Sequence, residues 1–250
     1  MLRFIIHLAL AGWYGYILYF DSELTKDFMP IKNNYFSKFI WLTHINLCMQ
    51  FLYHSFATAM STLPSLRHSC RKKFDFFATA LIFPVAATIV FLFWGLTFID
   101  PGALADPQAQ KILAIAFFNH SIHTLPLPAM LIDFILWKHN RPNKSKTLKL
   151  LFVFSLLYII EIFYVNSVSG IWPYPILGEL SPPLRILFIL VCMFVLFLAF
   201  LVGDLFNYMI GGVKEYDAIY NTHQQPPQNN FPNYGTLINP PEEGYRVVYA

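Results

Sequence analysis

Six apolar runs, each near the ~20 residues a helix needs to cross the hydrocarbon of a bilayer, constrain this chain more than any motif does. A window of about 19 residues sets them at 2–20, 35–63, 74–99, 112–137, 148–168 and 184–210. Lipid offers no partner to backbone N–H and C=O groups, so such runs satisfy them internally as helices. The expected fold class is all-α: a polytopic membrane protein, a six-transmembrane-helix bundle. Composition agrees, with 56% hydrophobic and 12% charged residues, against roughly 25% charged in soluble domains. Four of the runs exceed the minimum length, which calls for tilt or kinks. Pro84 in the third run, and Pro126 and Pro128 in the fourth, each lack a backbone donor. A break beside His123 either opens local backbone for a substrate or is a packing kink; both readings stand at this stage.

Basic residues orient the bundle. If the chain starts in the cytosol, that side collects Arg3, then Arg67, Arg71, Lys72 and Lys73, then Lys138, Arg141, Lys144, Lys146 and Lys149, then Lys214 and Arg246, twelve in all. The other side holds five: Lys26, Lys32, Lys38, Lys111 and Arg185. The positive-inside rule puts both termini in the cytosol. A net charge of +3 is accounted for by these loops, which can touch anionic headgroups, and gives no footprint for nucleic acid.

The first run is expected to be retained. It is too long for a signal peptide, ends in Trp13, Tyr14, Tyr16 and Tyr19 as an interfacial belt does, and has no small-x-small site before Asp21. Cys48, Cys70 and Cys192 offer no extracellular pair, so no structural disulfide is implied. Cys70, beside Arg71-Lys72-Lys73, suits reversible palmitoylation or remains a plain thiol. The sequons at Asn119 and Asn143 fall in the membrane and in a cytosolic loop and should stay unmodified. Beyond residue 212 the chain is rich in Pro, Gln and Asn without apolar periodicity, which marks 213–250 as a disordered cytosolic tail after a 1–212 membrane domain.

Two polar clusters interrupt the apolar runs. Thr43, Asn46, Gln50 and His54 are spaced three, four and four apart, so a helix lines them along one face, which Thr58 continues. On the fourth run Asn119, His120 and His123 are spaced to share a face. Polar groups at membrane depth are costly and read as functional by default; interhelical hydrogen bonding is the structural alternative. The second and fourth helices run the same way, so Thr43 and His123 lie in the same half of the membrane and can meet. A Thr hydroxyl needs an adjacent base to attack an ester, and a neutral imidazole can take its proton near pH 7. Asn46, Asn119 and His120 are candidates to orient His123 or to donate to the oxyanion, Asp204 and Glu161 to orient the imidazole. Gln50, Glu161, Trp172 and Tyr174 are candidate substrate-lining residues, the Trp172-Pro173-Tyr174-Pro175 turn being either an interfacial anchor or a lid. No metal or other cofactor is expected, because the Glu of His-Glu-x-x-His and the repeated histidine boxes of di-iron proteins are missing.

Five segments carry a resemblance to a known family. They are Lys38-Phe39-Ile40-Trp41-Leu42-Thr43, Phe83-Pro84-Val85, Asn119-His120-Ser121-Ile122-His123-Thr124, Gly170-Ile171-Trp172-Pro173-Tyr174-Pro175 and Leu201-Val202-Gly203-Asp204-Leu205-Phe206-Asn207. In this order and spacing the chain resembles the androgen-induced gene and androgen-dependent TFPI-regulating protein family, over roughly residues 1–212. The resemblance implies a threonine hydrolase of fatty acid esters of hydroxy fatty acids, with the nucleophile on Thr43 and the catalytic histidine on His123. Relatives carry an acid where Asn46 stands and an apolar aromatic where Glu161 stands. The expected function is an intramembrane lipid-ester hydrolase of the endoplasmic reticulum or plasma membrane, drawing its substrate from the bilayer. The alternative is a non-catalytic multipass transporter or regulatory scaffold whose polar stripe lines a pathway.

Overall fold

The computed structural model describes residues 1–26 and 29–211. The tail at 213–250, with Lys214 and Arg246, lies outside the described residues. Every regular element among them is helical. Helix α1 (Leu2–Leu24) leads through a 3-10 turn at Tyr35–Ile40, capped by the Asn34 side chain on the Phe36 amide, to α2 (Leu42–Thr62). Leu63 is extended (φ −105°, ψ 99°), as a residue before proline tends to be, and Pro64 opens α3 (Pro64–Phe77) at a position that needs no donor. From there α3, a π-helical segment (Ala78–Ile82) and α4 (Phe83–Ile99) continue without a stop. The widened π turn sits just ahead of Pro84, where the ring would otherwise strike the carbonyl four residues back.

The fourth apolar run is not one helix. It divides into α5 (Pro107–Leu113), α6 (Ala116–His123) and α7 (Pro126–Trp137). Pro126 has no N–H to continue the ladder, so the amides of both Thr124 and Leu125 turn back to the His120 carbonyl (3.0 and 2.8 Å) and α7 starts afresh. Then follow α8 (Lys144–Ser169), the short α9 (Pro175–Glu179) and α10 (Pro182–Met209). Among the described residues four helical stretches are long and apolar enough to cross a membrane: Leu2–Leu24, Pro64–Ile99, Lys144–Ser169 and Pro182–Met209. Four of the six expected spans thus meet the criterion as single helices. Helix α2 has the length, at 21 residues, but its polar stripe dilutes its apolar character, and proline breaks the fourth run.

Helix α1 lies along α2, and α4 packs against α10 and α7. Gly203 on α10 permits that approach, since a Cβ there would fall 2.5 Å from the buried Phe83 ring. The outward faces of α8 and α10 expose Phe152, Leu157, Ile160, Ile186, Leu190 and Phe194. Apolar faces of this extent, on helices long enough to span, belong against lipid. The protein is an integral membrane protein.

A buried polar layer closes one end of the bundle. His139, in the loop between α7 and α8, is fully buried, with Nδ1 2.7 Å from Asp75 and Nε2 2.7 Å from Asp133. Both ring nitrogens donate to carboxylates, which makes the imidazole the cation. Tyr53 donates to Asp133 (2.8 Å), Arg71 and Asn140 hold Asp75, and Asn207 donates to the His139 carbonyl (2.8 Å). Nearby, Arg141 grips Asp204 with two bonds of 2.8 and 2.6 Å. The layer joins α2, α3, α7 and α10 through side chains from distant parts of the chain.

Candidate functional site

At the opposite end of α2 and α7 the two polar clusters of the sequence meet. Trp41 is extended (φ −87°, ψ 113°) and caps α2; its indole donates to the Pro173 carbonyl (3.1 Å). The amides of His44 and Ile45 return to the Trp41 carbonyl (2.9 and 3.2 Å), and the Leu42 amide donates to the Tyr174 hydroxyl (3.2 Å). Among the described residues the Thr43 amide has no acceptor, one of the donors a helix start leaves over. The Thr43 hydroxyl lies 3.4 Å from Nε2 of His123, the last residue of α6.

His123 is held from three directions. Its Nδ1 is 2.7 Å from Oδ1 of Asn119, one turn earlier on α6. Phe93 stacks on the ring with centroids 3.4 Å apart and planes 3° from parallel, and Trp94 donates to the His123 carbonyl (3.1 Å). An amide oxygen at Nδ1 requires the proton there, which leaves the Nε2 lone pair facing the hydroxyl of Thr43. That is the tautomer a general base for Thr43 needs. Beside the pair lies a cavity of about 520 Å³, walled largely by apolar side chains such as Leu47, Ile89, Leu92, Leu96, Phe118 and Phe188. Its volume falls in the usual range for small-molecule sites.

The other residues singled out from sequence divide. Tyr174 reaches the cavity wall; Trp172 does not, and instead packs on Phe163 and under the Arg185 guanidinium. Asn46 and Gln50 are buried one and two turns beyond Thr43, where the Gln50 amide donates to Asn46 within α2 (3.3 Å), and neither lines the cavity. His120 does not reach the cavity wall. Residues 119 and 120 stand about 100° apart on a helix, and His120 is exposed, stacked on Trp94 and bonded to the Thr124 hydroxyl (3.0 Å). Asp204 is committed to Arg141, beyond the far end of α7 and thus roughly 18 Å along that 12-residue helix from His123. Glu161 is half-buried on α8, outside the cavity wall. Among the described residues no group of three or more His, Cys, Asp or Glu is arranged to hold a metal.

A family model described as FAR-17a/AIG1-like protein matches residues 2–208, which takes in nearly all of this helical architecture. The chain belongs to the FAR-17a/AIG1-like family. It is 29% identical over 210 residues to the androgen-dependent TFPI-regulating protein of Mesocricetus auratus, covering 82% of this chain and 90% of that one. The corresponding Rattus norvegicus protein is 30% identical over 188 residues, covering 73% and 81%. The androgen-induced gene 1 protein of Homo sapiens is 28% identical over 192 residues, covering 72% and 80%. No solved structure matches the chain.

Sequence reasoning missed a second group in the cavity wall of this FAR-17a/AIG1-like chain. Asp21, near the end of α1, receives Lys38 Nζ at 2.7 Å and lies 3.1 Å from His44 Nδ1. The available signal was that Asp21, Lys38 and His44 all sit where the first two apolar runs adjoin in sequence.

Proposed function

We propose that this protein is an intramembrane ester hydrolase acting on fatty acid esters of hydroxy fatty acids, with Thr43 as nucleophile and His123 as general base. The observation that carries the reading is the Thr43–His123 approach of 3.4 Å at the wall of an apolar cavity, with Asn119 fixing the tautomer. As the hydroxyl oxygen attacks the ester carbonyl, its proton passes to Nε2 of His123. The Thr43 amide, at the start of α2, faces the developing oxyanion as a ready donor. Collapse expels the alcohol, which takes the proton from His123, and leaves an acyl-threonine. Water then attacks that acyl group with the same imidazole as base, releasing the acid and restoring Thr43. A substrate already in hydrocarbon gains little from transfer alone, so cavity shape and the position of the ester along the chain select it.

The proposal includes a six-span arrangement, in which α2 and the broken α6–α7 pair complete the bundle inside a ring of lipid-facing helices. It also includes cytosolic termini, residence in the endoplasmic reticulum or plasma membrane, and a tail at 213–250 that is dispensable for chemistry. Glycosylation acceptors engineered into the 67–73 and 138–149 loops should remain unmodified, and modification there reverses the orientation.

The decisive experiment compares purified wild type, Thr43→Ala, His123→Ala and the double variant on such an ester. Groups that share one step lose rate non-additively, so each single variant should be inactive and the double no worse. Near-normal turnover by Thr43→Ala, in protein shown to be folded, removes the nucleophile and leaves a non-catalytic transporter or scaffold.

A further inference from the structure

Besides Thr43 and His123, the cavity wall gathers charge at Asp21, Lys38 and His44. Lys38, 2% exposed, ends in the wall beside Asp21 and His44. Burying an ammonium is costly unless it is paired, and Asp21 supplies one partner at 2.7 Å. An ammonium carries three donors, though, and among the described residues only that one bond is made. His44 Nδ1 approaches the same Asp21 oxygen that Lys38 uses, at 3.1 Å. Two basic groups therefore share one carboxylate oxygen, and the cluster is one positive charge over whenever both are protonated. Asp106, the other acid on the wall, is held away at the start of α5, where it accepts from the Gln108 and Ala109 amides. The hydroxyls of Tyr158 and Tyr174 are engaged by the Ile40 carbonyl and the Leu42 amide.

We propose that Lys38, with His44 and oriented by Asp21, is an anion subsite that binds a free carboxylate on the lipid occupying the cavity. The ligand class is thus an anionic amphiphile, a long-chain acid rather than a neutral ester, with its apolar chain along Leu92, Leu96 and Phe188. Lys38 precedes Thr43 by five residues, so their backbones are at most about 18 Å apart. A carboxylate at Lys38 and an ester at Thr43 fit on one molecule. This rests on the hydrolase reading, whose ester keeps a free carboxylate, and deepens it by assigning the residues that hold that group; its test is chosen to stand apart from turnover.

The test is binding of an 18-carbon fatty acid and of its methyl ester to the purified full-length protein in nanodiscs, read by displacement of a fluorescent fatty acid. Wild type should prefer the acid by tenfold or more, the scale of a charge-assisted hydrogen bond in a dry site. Lys38→Met should bring the two ligands to parity by weakening the acid alone, its unchanged methyl-ester affinity showing an intact cavity. Lys38→Arg should keep the preference. Asp21→Asn supplies the opposite sign, because removing the internal competitor should tighten the acid further, whereas a merely structural Lys38–Asp21 pair would leave the ratio untouched. Equal affinity of wild type for acid and ester, or an acid preference that survives Lys38→Met, overturns the subsite. All of these ratios are also read in Thr43→Ala, where a carboxylate preference persists whether or not the protein hydrolyses esters.

Discussion

Asn119 provides the sharpest probe of how His123 is prepared. Its Oδ1 accepts from Nδ1 at 2.7 Å and is the only acceptor at that nitrogen among the described residues. Asn119→Leu keeps the size of the side chain and removes that acceptor. Two things follow: the ring no longer favours the tautomer with Nε2 free, and the imidazolium formed during attack loses a hydrogen bond. A bond to a charged group contributes about 1.5–3 kcal/mol, which at about 1.4 kcal/mol per decade is a loss of roughly ten- to two-hundred-fold in rate. The loss should fall on kcat with little change in KM, because Asn119 lies behind the histidine and not in the cavity wall. Asn119→Asp, which retains an oxygen acceptor, should recover most of the rate. The assay is steady-state hydrolysis of a fatty acid ester of a hydroxy fatty acid by detergent-solubilised protein, with a melting curve to confirm folding. If Asn119→Leu turns over within twofold of wild type, His123 is not oriented through Nδ1, and the proposed base has lost its support.

Two further predictions concern the fold. Gly203→Ala sets a methyl group against the Phe83 ring, which is only 2% exposed and held in the core by Phe134; overpacking of this kind costs about 1–3 kcal/mol, so the variant should melt several degrees lower, and Gly203→Ala with Phe83→Leu should recover part of the loss. An unchanged melting temperature for Gly203→Ala would show that α10 shifts freely on α4. At His139 burial alone would lower the pKa, but the Asp133 and Asp75 carboxylates outweigh it and raise the group above its ordinary 6.5. A raised folded pKa stabilises fully below the unfolded value and loses that contribution as pH rises through the folded one. Melting temperature should therefore decline as pH climbs above about 6.5, more steeply in wild type than in His139→Asn; parallel curves would show the imidazole to be neutral.

The parts of this fold that run along the chain could be read from it. Apolar runs and the three- and four-residue spacing of Thr43, Asn46, Gln50 and His54 are one-dimensional signals, and helices α1, α2, α4, α8 and α10 follow them. The break at Pro126 was visible as missing donors, though not its outcome, that His123 ends a helix. Polar contacts between helices were not legible. Asp204 looks the same in sequence whether it faces an imidazole or Arg141, and only the return of the 138–143 loop decides the partner. The place of His120 was not legible either, because spacing gives a helix face but not the neighbour, here the Trp94 ring, that the side chain packs on. Asp21, Lys38 and His44 lie on three separate elements, so no spacing rule unites them.

The interruption between α6 and α7 has an electrostatic consequence for the chemistry proposed. Helix ends carry partial charge, positive at the start and negative at the finish. Thr43 stands at the start of α2 and His123 at the finish of α6, and their side chains approach to 3.4 Å. Proton transfer from hydroxyl to imidazole would therefore create its negative charge on the positive side and its positive charge on the negative side. At about 1 kcal/mol for each end, the backbone alone would favour this charge separation by about 2 kcal/mol, roughly thirty-fold in rate. An unbroken helix through residue 126 would carry His123 in its middle, where that field vanishes. The proline that interrupts the fourth apolar run is thus what aims a helix terminus at Thr43.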